Sequence, residues 1–169
     1  EVYYHSIKAD YPISIEFTGS SQGTIIVYSN GSIIIDGAIK NEKGSTSLTT
    51  EKGIYYRTGT PIASNTVNLR AGTGIGIDQP VQVRLSGSGR VIDAYTATGN
   101  INIKEVDDVL YVGNITSDNG NVRLEAQTKI VGVDGNSLIK GKLIELFTAY
   151  GSIGSDTLPL KVDSGEGAG

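Results

Sequence analysis

Along this chain, short runs in which apolar residues alternate with polar ones recur at a regular distance, and each run follows a glycine. The glycines that introduce these runs are spaced about 21 residues apart. They form two series, Gly23 with Gly44, and Gly99 with Gly120 and Gly141. Such alternation places the apolar side chains on one face of an extended strand. In the run after Gly120 we therefore predict that Val122 and Leu124 point inward and that Arg123 points to water.

A longer repeat, built around a proline, is superimposed on these short runs. The segments Asp10-Tyr-Pro12-Ile13-Ser-Ile15 and Asp78-Gln-Pro80-Val81-Gln-Val83 match position by position, and Pro159 follows Pro80 at a slightly longer interval. Repetition at such periods indicates an array of structural units that stack on their neighbours. We predict a single continuous solenoid over residues 1–169, with internal modules at 7–74 and 75–152 and the start of a third at 153–169. The segment Arg90–Thr98 has no counterpart in the first module and is expected to be an insertion.

The short period distinguishes two all-β architectures. A right-handed parallel β-helix would have rungs of about 21 residues, each lying one strand spacing, about 4.8 Å, above the last. Tandem β-sandwich domains of about 75 residues would explain the long repeat but not the short one. The best candidate for a helix, Ser137–Phe147, contains Gly141 and β-branched residues and matches strands elsewhere in the chain. We therefore predict an all-β parallel β-helix, with strand in this segment also.

The corners of such a helix would fall at glycine–asparagine pairs. Examples are Gly99-Asn100 and Gly120-Asn121, each of which precedes a predicted strand. Because glycine adopts positive φ at little cost and asparagine bonds to local backbone, we expect positive φ at these corners.

Composition narrows the functional classes. The 169 residues include no cysteine, which removes disulfide and thiolate chemistry, and the formal net charge is −4. Lysine and arginine are scattered and form no basic patch that would bind phosphate, so nucleic acid is not an expected partner. No apolar run approaches the roughly 20 residues that cross a bilayer, so we expect no membrane span. The absence of an initiator methionine and of a signal peptide leads us to expect a piece of a longer protein.

Two glycine-rich motifs suggest enzymes but lack the context that those enzymes need. Gly19-Ser-Ser21-Gln-Gly23 fits the elbow of a serine hydrolase, which requires a following helix and a histidine. The next residues alternate as a strand does, and the sequence holds one histidine, His5. Gly72-Thr-Gly74-Ile-Gly76 is similar to a phosphate-binding loop, but Asp78-Gln-Pro80 follows in place of a helix. We predict a turn at the first motif and a solenoid corner at the second.

Acidic residues are the remaining candidates for chemistry. Asp107 with Asp108, or Asp118 with Asn119 and Asn121, would offer oxygen ligands of the kind that calcium prefers. Neighbouring residues of a strand point to opposite faces, so Asp107 and Asp108 are not expected to share one ion. Glycoside cleavage needs two carboxyl groups about 5–10 Å apart, and nothing in the sequence pairs the available ones, which are Asp36, Asp93, Glu105 and Glu125. We therefore assign no catalytic, cofactor-binding or metal-binding residue.

Tyrosine is the dominant aromatic residue, with nine copies against two phenylalanines and no tryptophan. Tyrosines on an outer face would suit the binding of sugars or partner proteins, because the ring stacks while the hydroxyl forms hydrogen bonds. In the adjacent pairs Tyr3–Tyr4 and Tyr55–Tyr56, we instead expect one ring of each pair to pack inward and the other to cover a rung.

Three segments of the chain resemble a known family. They are Gly113-Asn-Ile-Thr-Ser-Asp-Asn-Gly120-Asn-Val-Arg-Leu-Glu-Ala126, Leu146-Phe-Thr-Ala-Tyr-Gly151-Ser-Ile-Gly154 and Leu158-Pro-Leu-Lys-Val162-Asp163. They are similar to the repeats of large bacterial exoproteins, the filamentous-haemagglutinin-like and leukotoxin-like adhesins. This resemblance extends over nearly the whole chain and implies a long, rod-like protein that is secreted or held at the bacterial cell surface. It implies no catalytic residues and no cofactor.

From the repeats and this resemblance we expect a structural or adhesive segment, either a rigid stalk or a surface that makes many weak contacts at once. The expected partners are neighbouring repeats of the same long chain, together with host or surface glycans or proteins. The alternative is a carbohydrate-active β-helix enzyme, a polysaccharide lyase or hydrolase. Such an enzyme would show a groove lined by clustered charged residues with shifted pKa values.

Overall fold

A computed structural model describes residues 2–6, 15–16, 22–57 and 59–165, with the backbone alone in the first two ranges. Its strands are β1 (Val2–Ser6), β2 (Ile15–Glu16), β3 (Thr24–Ser29), β4 (Ile33–Ile35), β5 (Ile39–Thr50), β6 (Gly53–Tyr56), β7 (Ile62–Ala71), β8 (Gly74–Ile75), β9 (Val81–Leu85), β10 (Val91–Thr96), β11 (Ile101–Glu105), β12 (Leu110–Ser117), β13 (Val122–Ala126), β14 (Ile130–Gly132), β15 (Leu138–Lys140), β16 (Ile144–Thr148) and β17 (Lys161–Asp163).

These strands pair in parallel and wind into a β-solenoid of about seven turns, with rungs of about 21 residues. The described residues contain no helix, and the segment considered as the best helix candidate holds β15 and most of β16. The prediction of an all-β parallel β-helix is therefore confirmed. Tandem sandwiches of antiparallel strands are excluded, because each neighbouring pair in the described part of the chain is parallel.

The strands stack in three columns, which we call faces. The first face holds β1, β3, the second halves of β5 and β7, β10, the second half of β12, β15 and β17. The second face holds β4, β6, β8, β11, β13 and β16. The third face holds β2, the first halves of β5 and β7, and β9, which also pairs with β11 of the second face. Further along the chain, the first half of β12 pairs with β14. The long strands β5, β7 and β12 therefore each turn a corner.

Apolar side chains stack on their counterparts in the next rung and form the core. The register of the second face aligns five of them, none more than 4% exposed: Ile33, Ile54, Ile75, Ile101 and Val122. The first face aligns Leu48, Leu69, Ala94, Ile115 and Ile139. Burial of a large aliphatic side chain contributes about 1.5–3 kcal/mol. The predicted inward positions of Val122 and Leu124 are confirmed, since both are fully buried, whereas Arg123 faces outward.

A column of small side chains, most of them polar, closes the end of the first face. The register aligns Ser29, Thr50, Ala71, Thr96 and Ser117, all of them buried. The hydroxyl groups of this column bond to the backbone of the turn that follows. The Thr96 hydroxyl donates to the Gly99 carbonyl at 2.6 Å, and the Gly120 N–H donates to Ser117 Oγ at 2.8 Å. These bonds satisfy turn backbone that would otherwise be buried without partners.

The glycines that introduce the strands are required by close packing. The expectation of positive φ at Gly99 and Gly120 was wrong, because the described glycines with φ in that region lie elsewhere, at Gly76 for example. A Cβ at Gly99 would collide with the Thr73 carbonyl, and one at Gly120 would collide with the Gly99 carbonyl. The neighbouring rung therefore leaves no room for a side chain at either position.

Inserted residues interrupt the regular period at 76–80, which lie opposite Asn102 alone, and in two inserted turns that precede β10 and β15. Val67 pairs with Thr46 in the preceding rung and with Ile92 in the following one. More residues separate Val67 from Ile92 than separate Thr46 from Val67, because the turn between β9 and β10 contains extra residues. The interval from Ile115 to its partner Ile139 is likewise lengthened by the turn before β15. The predicted insertion at Arg90–Thr98 was therefore wrong in its bounds: Val91–Thr96 forms β10, in register with β7, and the extra residues lie at 86–90.

The Tyr55–Tyr56 pair divides as predicted. Tyr56 is fully buried and Tyr55 is half-buried, whereas the side chains of Tyr3 and Tyr4 lie outside the described residues. Burial raises the pKa of Tyr56 to about 12. Its hydroxyl has no hydrogen-bond partner among the described residues.

We predict that Tyr56→Phe leaves the free energy of unfolding unchanged or raises it by about 1 kcal/mol, because a buried group without a partner carries an uncompensated desolvation cost. Urea denaturation measures this effect. Tyr56→Ala, which removes the ring as well, should lower the free energy of unfolding by about 3–5 kcal/mol. A loss of more than about 1 kcal/mol in Tyr56→Phe would show that the hydroxyl is bonded in the folded protein.

We predict that Ser117→Ala lowers the free energy of unfolding by about 1–3 kcal/mol, because it leaves the buried Gly120 N–H without its acceptor and removes the 2.8 Å bond from the Ser117 hydroxyl to the Gly99 carbonyl. The matched control is Ser47→Ala, on an outward-facing, half-buried position of the same face. It should change stability by less than about 0.5 kcal/mol. Equal effects of the two substitutions would contradict the structural role of the buried column.

Candidate functional site

The two inserted turns stand on either side of a cleft. The turn at 86–90 leads into β10, the turn at 133–137 leads into β15, and β12 lies between them on the first face. The turns are thus two rung spacings apart, about 10 Å. The space between them, which we call the Arg90 cleft, has a volume of about 420 Å³ and is lined by Gly87, Ser88, Gly89, Arg90, Val91, Tyr111, Gly132, Val133 and Leu158.

Arg90 is held in a fixed position at the edge of this cleft. Its guanidinium donates to the Leu85 carbonyl at 3.2 Å, to Asp108 Oδ2 at 3.1 Å and to the Tyr111 hydroxyl at 3.5 Å. Its Cζ also lies 4.6 Å from the centre of the Tyr111 ring, a cation–π contact. Burial alone would lower the pKa of Arg90, but the hydrogen bonds and charges of Tyr111 and Asp108 raise it overall. The group therefore stays charged, with Asp108 as its counterion.

Glu105 fixes the base of the first inserted turn from inside the core. Its side chain is 1% exposed and occupies the position next to Val83 in the stack of β9 and β11. One carboxylate oxygen accepts from the Leu85 N–H at 2.9 Å and the other from the Asp107 N–H at 3.2 Å. Leu85 is therefore bonded through its N–H to Glu105 and through its carbonyl to Arg90, immediately before the turn begins.

Burial raises the pKa of the Glu105 carboxyl, although the N–H groups of Leu85 and Asp107 oppose the shift. A raised pKa in a carboxyl group can indicate a general acid. Here the two oxygens are already bonded to backbone, and the side chain is not among those that line the cleft. Glu105 is therefore a positioning residue for the turn.

The structure keeps the acidic residues of the sequence analysis apart from one another. Asp107 pairs with Arg84 and Asp108 with Arg90, so the adjacent carboxylates serve different arginines. Asp118 accepts from the Tyr95 hydroxyl at 2.7 Å, and Asp93 accepts from the Asn114 N–H at 2.7 Å. Within the described residues, no three histidine, cysteine, aspartate or glutamate side chains lie together as a metal site would require.

The remaining candidate carboxylates also have separate environments. Asp36 is exposed after β4, and Glu105 and Glu125 point to opposite sides of the sheet. Glu125 joins a ladder of surface charges on the second face, with Arg123 at 2.9 Å and Lys104 at 3.5 Å. Partly exposed pairs of this kind contribute little to stability, typically below about 1 kcal/mol. They leave that face covered by alternating charges.

Neither of the two glycine-rich motifs is followed by the helix that the corresponding enzyme site would need. The serine-hydrolase-like motif lies outside the described residues up to Ser21, and strand β3 follows it instead of the helix that an elbow requires. The motif Gly72–Gly76 begins directly after β7, contains the short strand β8 and forms a corner of the solenoid, as predicted. There Gly76 has a φ of 69°, and the Asn102 carbonyl occupies the space of a side chain.

Sequence reasoning did not identify Arg90 or Tyr111 as site residues. The available signal was the break in the period, since residues 86–90 and 133–137 are among the positions where rungs exceed their usual length. That signal pointed to an insertion but not to the partner turn across the cleft, because the five strands β10 to β14 separate the two turns in sequence.

Because the folded-state pKa of Glu105 is raised, the folded protein binds the proton more tightly than the unfolded chain does. We predict that this residue's contribution to stability is largest below the unfolded glutamate pKa, about 4.3, and declines as the pH rises through the folded pKa. The free energy of unfolding of the native protein minus that of Glu105→Gln should therefore fall between pH 4 and pH 8 in urea titrations. A difference that stays constant or grows with pH would contradict the raised pKa.

No helix in the described residues is long and apolar enough to span a membrane. Comparison of the chain with models of protein families, with curated proteins and with solved structures gives no match. Function must therefore be inferred from the solenoid and from the Arg90 cleft.

Proposed function

We propose that this chain is a structural and adhesive segment of a large secreted or cell-surface bacterial protein, in which it acts as a rigid stalk or as a multivalent adhesion surface. The observation that carries the proposal is the continuous parallel stacking of rungs through the described residues. Each rung bonds to the rung before it and the rung after it, so length can be added without new chemistry. A solenoid of this kind suits a protein that must hold a surface at a distance.

Rigidity follows from the aligned core. The aliphatic columns that contain Leu69 on the first face and Ile75 on the second each run through five rungs, and the long strands β5, β7 and β12 connect adjacent faces through continuous backbone. Bending would open backbone hydrogen bonds and expose apolar area at the same time. The stack therefore resists bending, as a stalk requires.

Neighbouring repeats of the same long chain are the first proposed partners. Val162 continues the column of Ile139 on the first face, and it is 58% exposed although Ile139 itself is fully buried. Ile153, which is bridged to the buried Ile130, is 47% exposed in the same way. A further rung stacked on β16 and β17 would cover these side chains and pair the open strand edges.

The outer surface supports adhesion by many weak contacts. Charges of both signs alternate along β11, β13 and β16, through Lys104, Arg123, Glu125 and Glu145. Such a mixed surface of the described residues carries no basic stripe for nucleic acid, and it offers charged groups of both signs on three successive rungs to glycans or proteins. Repetition raises the total affinity of contacts that are individually weak.

The lining of the Arg90 cleft favours binding over the alternative of polysaccharide cleavage. It contains one cation, one phenol, one serine hydroxyl, aliphatic side chains and glycines, but no carboxylate. Hydrolysis of a glycosidic bond by the usual route requires two carboxyl groups, and Glu105, whose pKa is raised by burial, lies below the turn and does not line the cleft.

Excision of a whole rung tests the proposed role. Deletion of residues 46–66 joins Ser45 to Val67, which are consecutive in register because Thr46 pairs with Val67. We predict that the full-length protein with this deletion remains folded, reaches the cell surface and supports adhesion of the cells that carry it. Circular dichroism, antibody labelling of intact cells and a cell-adhesion assay measure these properties.

The matched control deletes residues 46–56, about half a rung, which removes β6 and the second half of β5. Strands β3 and β4 then lose their partners in the following rung and β7 no longer stacks on the rung before it, so this deletion should break the stack at this point and abolish cooperative folding of the protein. Loss of folding after the whole-rung deletion would contradict the stacking of independent rungs. Absence of the native protein from the surface of intact cells, or release of new reducing ends from polysaccharides by the pure domain, would overturn the proposed function.

A further inference from the structure

We propose that the Arg90 cleft binds a single neutral pyranose ring, as part of a glycan. This inference extends the adhesive part of the proposed function and rests on it for its biological setting. The cleft itself is defined independently, by the two inserted turns and the side chains between them.

The dimensions of the cleft suit one flat ring. Its two walls are backbone turns about two strand spacings, or about 10 Å, apart. A ring that contacts both walls at about 3.5–4 Å fills that width. The volume of about 420 Å³ lies within the range of small-molecule sites. The walls are lined by Gly87, Gly89 and Gly132, so backbone approaches the space with little side chain to block it.

The chemistry of the lining is amphipathic in the way that a sugar is. Val91, Val133 and Leu158, with the edge of the Tyr111 ring, provide apolar contact for the C–H groups of a pyranose. Arg90 uses three of the five N–H donors of its guanidinium on described protein groups, which leaves two for hydroxyl oxygens of a ligand. A wholly apolar ligand would enclose these donors without giving them partners, which is unfavourable.

Charge balance favours a neutral sugar over an acidic one. Arg90 already has Asp108 as its counterion at 3.1 Å, and Thr128 holds the other oxygen of that carboxylate at 3.2 Å. A carboxylate on the ligand would have to compete with Asp108 for the same guanidinium. The fixed position of Arg90 also means that little side-chain freedom is lost when a ligand binds.

The test is a titration of the ¹⁵N-labelled protein, followed by amide NMR shifts, with the methyl glycosides of glucose, galactose, mannose and N-acetylglucosamine. Methyl glucuronide and N-acetyltyrosinamide are the acidic and aromatic arms. We expect at least one neutral glycoside to shift the amides of Gly87, Gly89 and Gly132 with millimolar affinity, as is usual for a single ring with few contacts.

Three variants locate the binding. Arg90→Ala should weaken the affinity at least about tenfold, the loss expected for a charged hydrogen-bond donor. Val133→Trp, which fills the cleft and keeps the Arg90–Tyr111 contact, should abolish binding. The control is Arg70→Ala, which removes a similar stacking contact, 4.3 Å from the Tyr95 ring, outside the cleft; it should leave the affinity unchanged within about twofold.

The proposal is overturned if none of the four neutral glycosides shifts these amides up to about 50 mM, well above millimolar affinity. It is also overturned if Val133→Trp binds as well as the native protein, or if only the acidic or only the aromatic probe binds. Soluble sugars report on the cleft alone. A negative titration therefore leaves the stalk proposal intact, and failure of the whole-rung deletion leaves the titration interpretable.

Discussion

Parallel, in-register stacking of one rung on the next is the interaction on which the rest of this structure depends. It pairs the backbone of the strands inside the stack on two sides and aligns like side chains, such as Ile54, Ile75 and Ile101, in continuous buried columns. The same alignment places the carbonyl of one rung against the glycine of the next, as at Gly99, and stacks the buried hydroxyls that close each corner. A change at one position is therefore felt by the rungs on both sides.

Stacking also explains why the candidate site lies where it does. A regular rung presents the same outline as its neighbours and encloses no cavity between them. At 86–90 and 133–137 extra residues leave the stack, and two walls rise with the rung of β12 between them. Glu105 and Arg90 hold both backbone groups of Leu85, and the Ser86 N–H donates to the Ser64 carbonyl at 3.1 Å, so side chains and the backbone ladder together fix the first wall. The cleft is thus a local exception that the regular stack supports.

The two kinds of surface suit different tasks. The charged ladder of Arg123, Glu125 and Glu145 repeats from rung to rung and offers contacts that are individually weak. The Arg90 cleft is concave and combines a stacked arginine with apolar walls, which is how proteins select a small ligand. A stalk that carries both surfaces would make many weak contacts along its length and one specific contact with a small ligand at the Arg90 cleft.

The sequence by itself determined the strands and their inward faces, because alternation is a local property that a strand imposes on its own residues: Val122 and Leu124 were found inward from spacing alone. It also determined the approximate rung length. Only the tertiary structure decided which residues meet across rungs. The strands after the equivalent prolines Pro80 and Pro159, for example, lie on the third and first faces respectively. Contacts between rungs join residues that are far apart in sequence, so their alignment depends on the number of residues in each intervening turn. The Arg90 cleft forms only because two such turns are both long, so it could not be predicted from local sequence patterns.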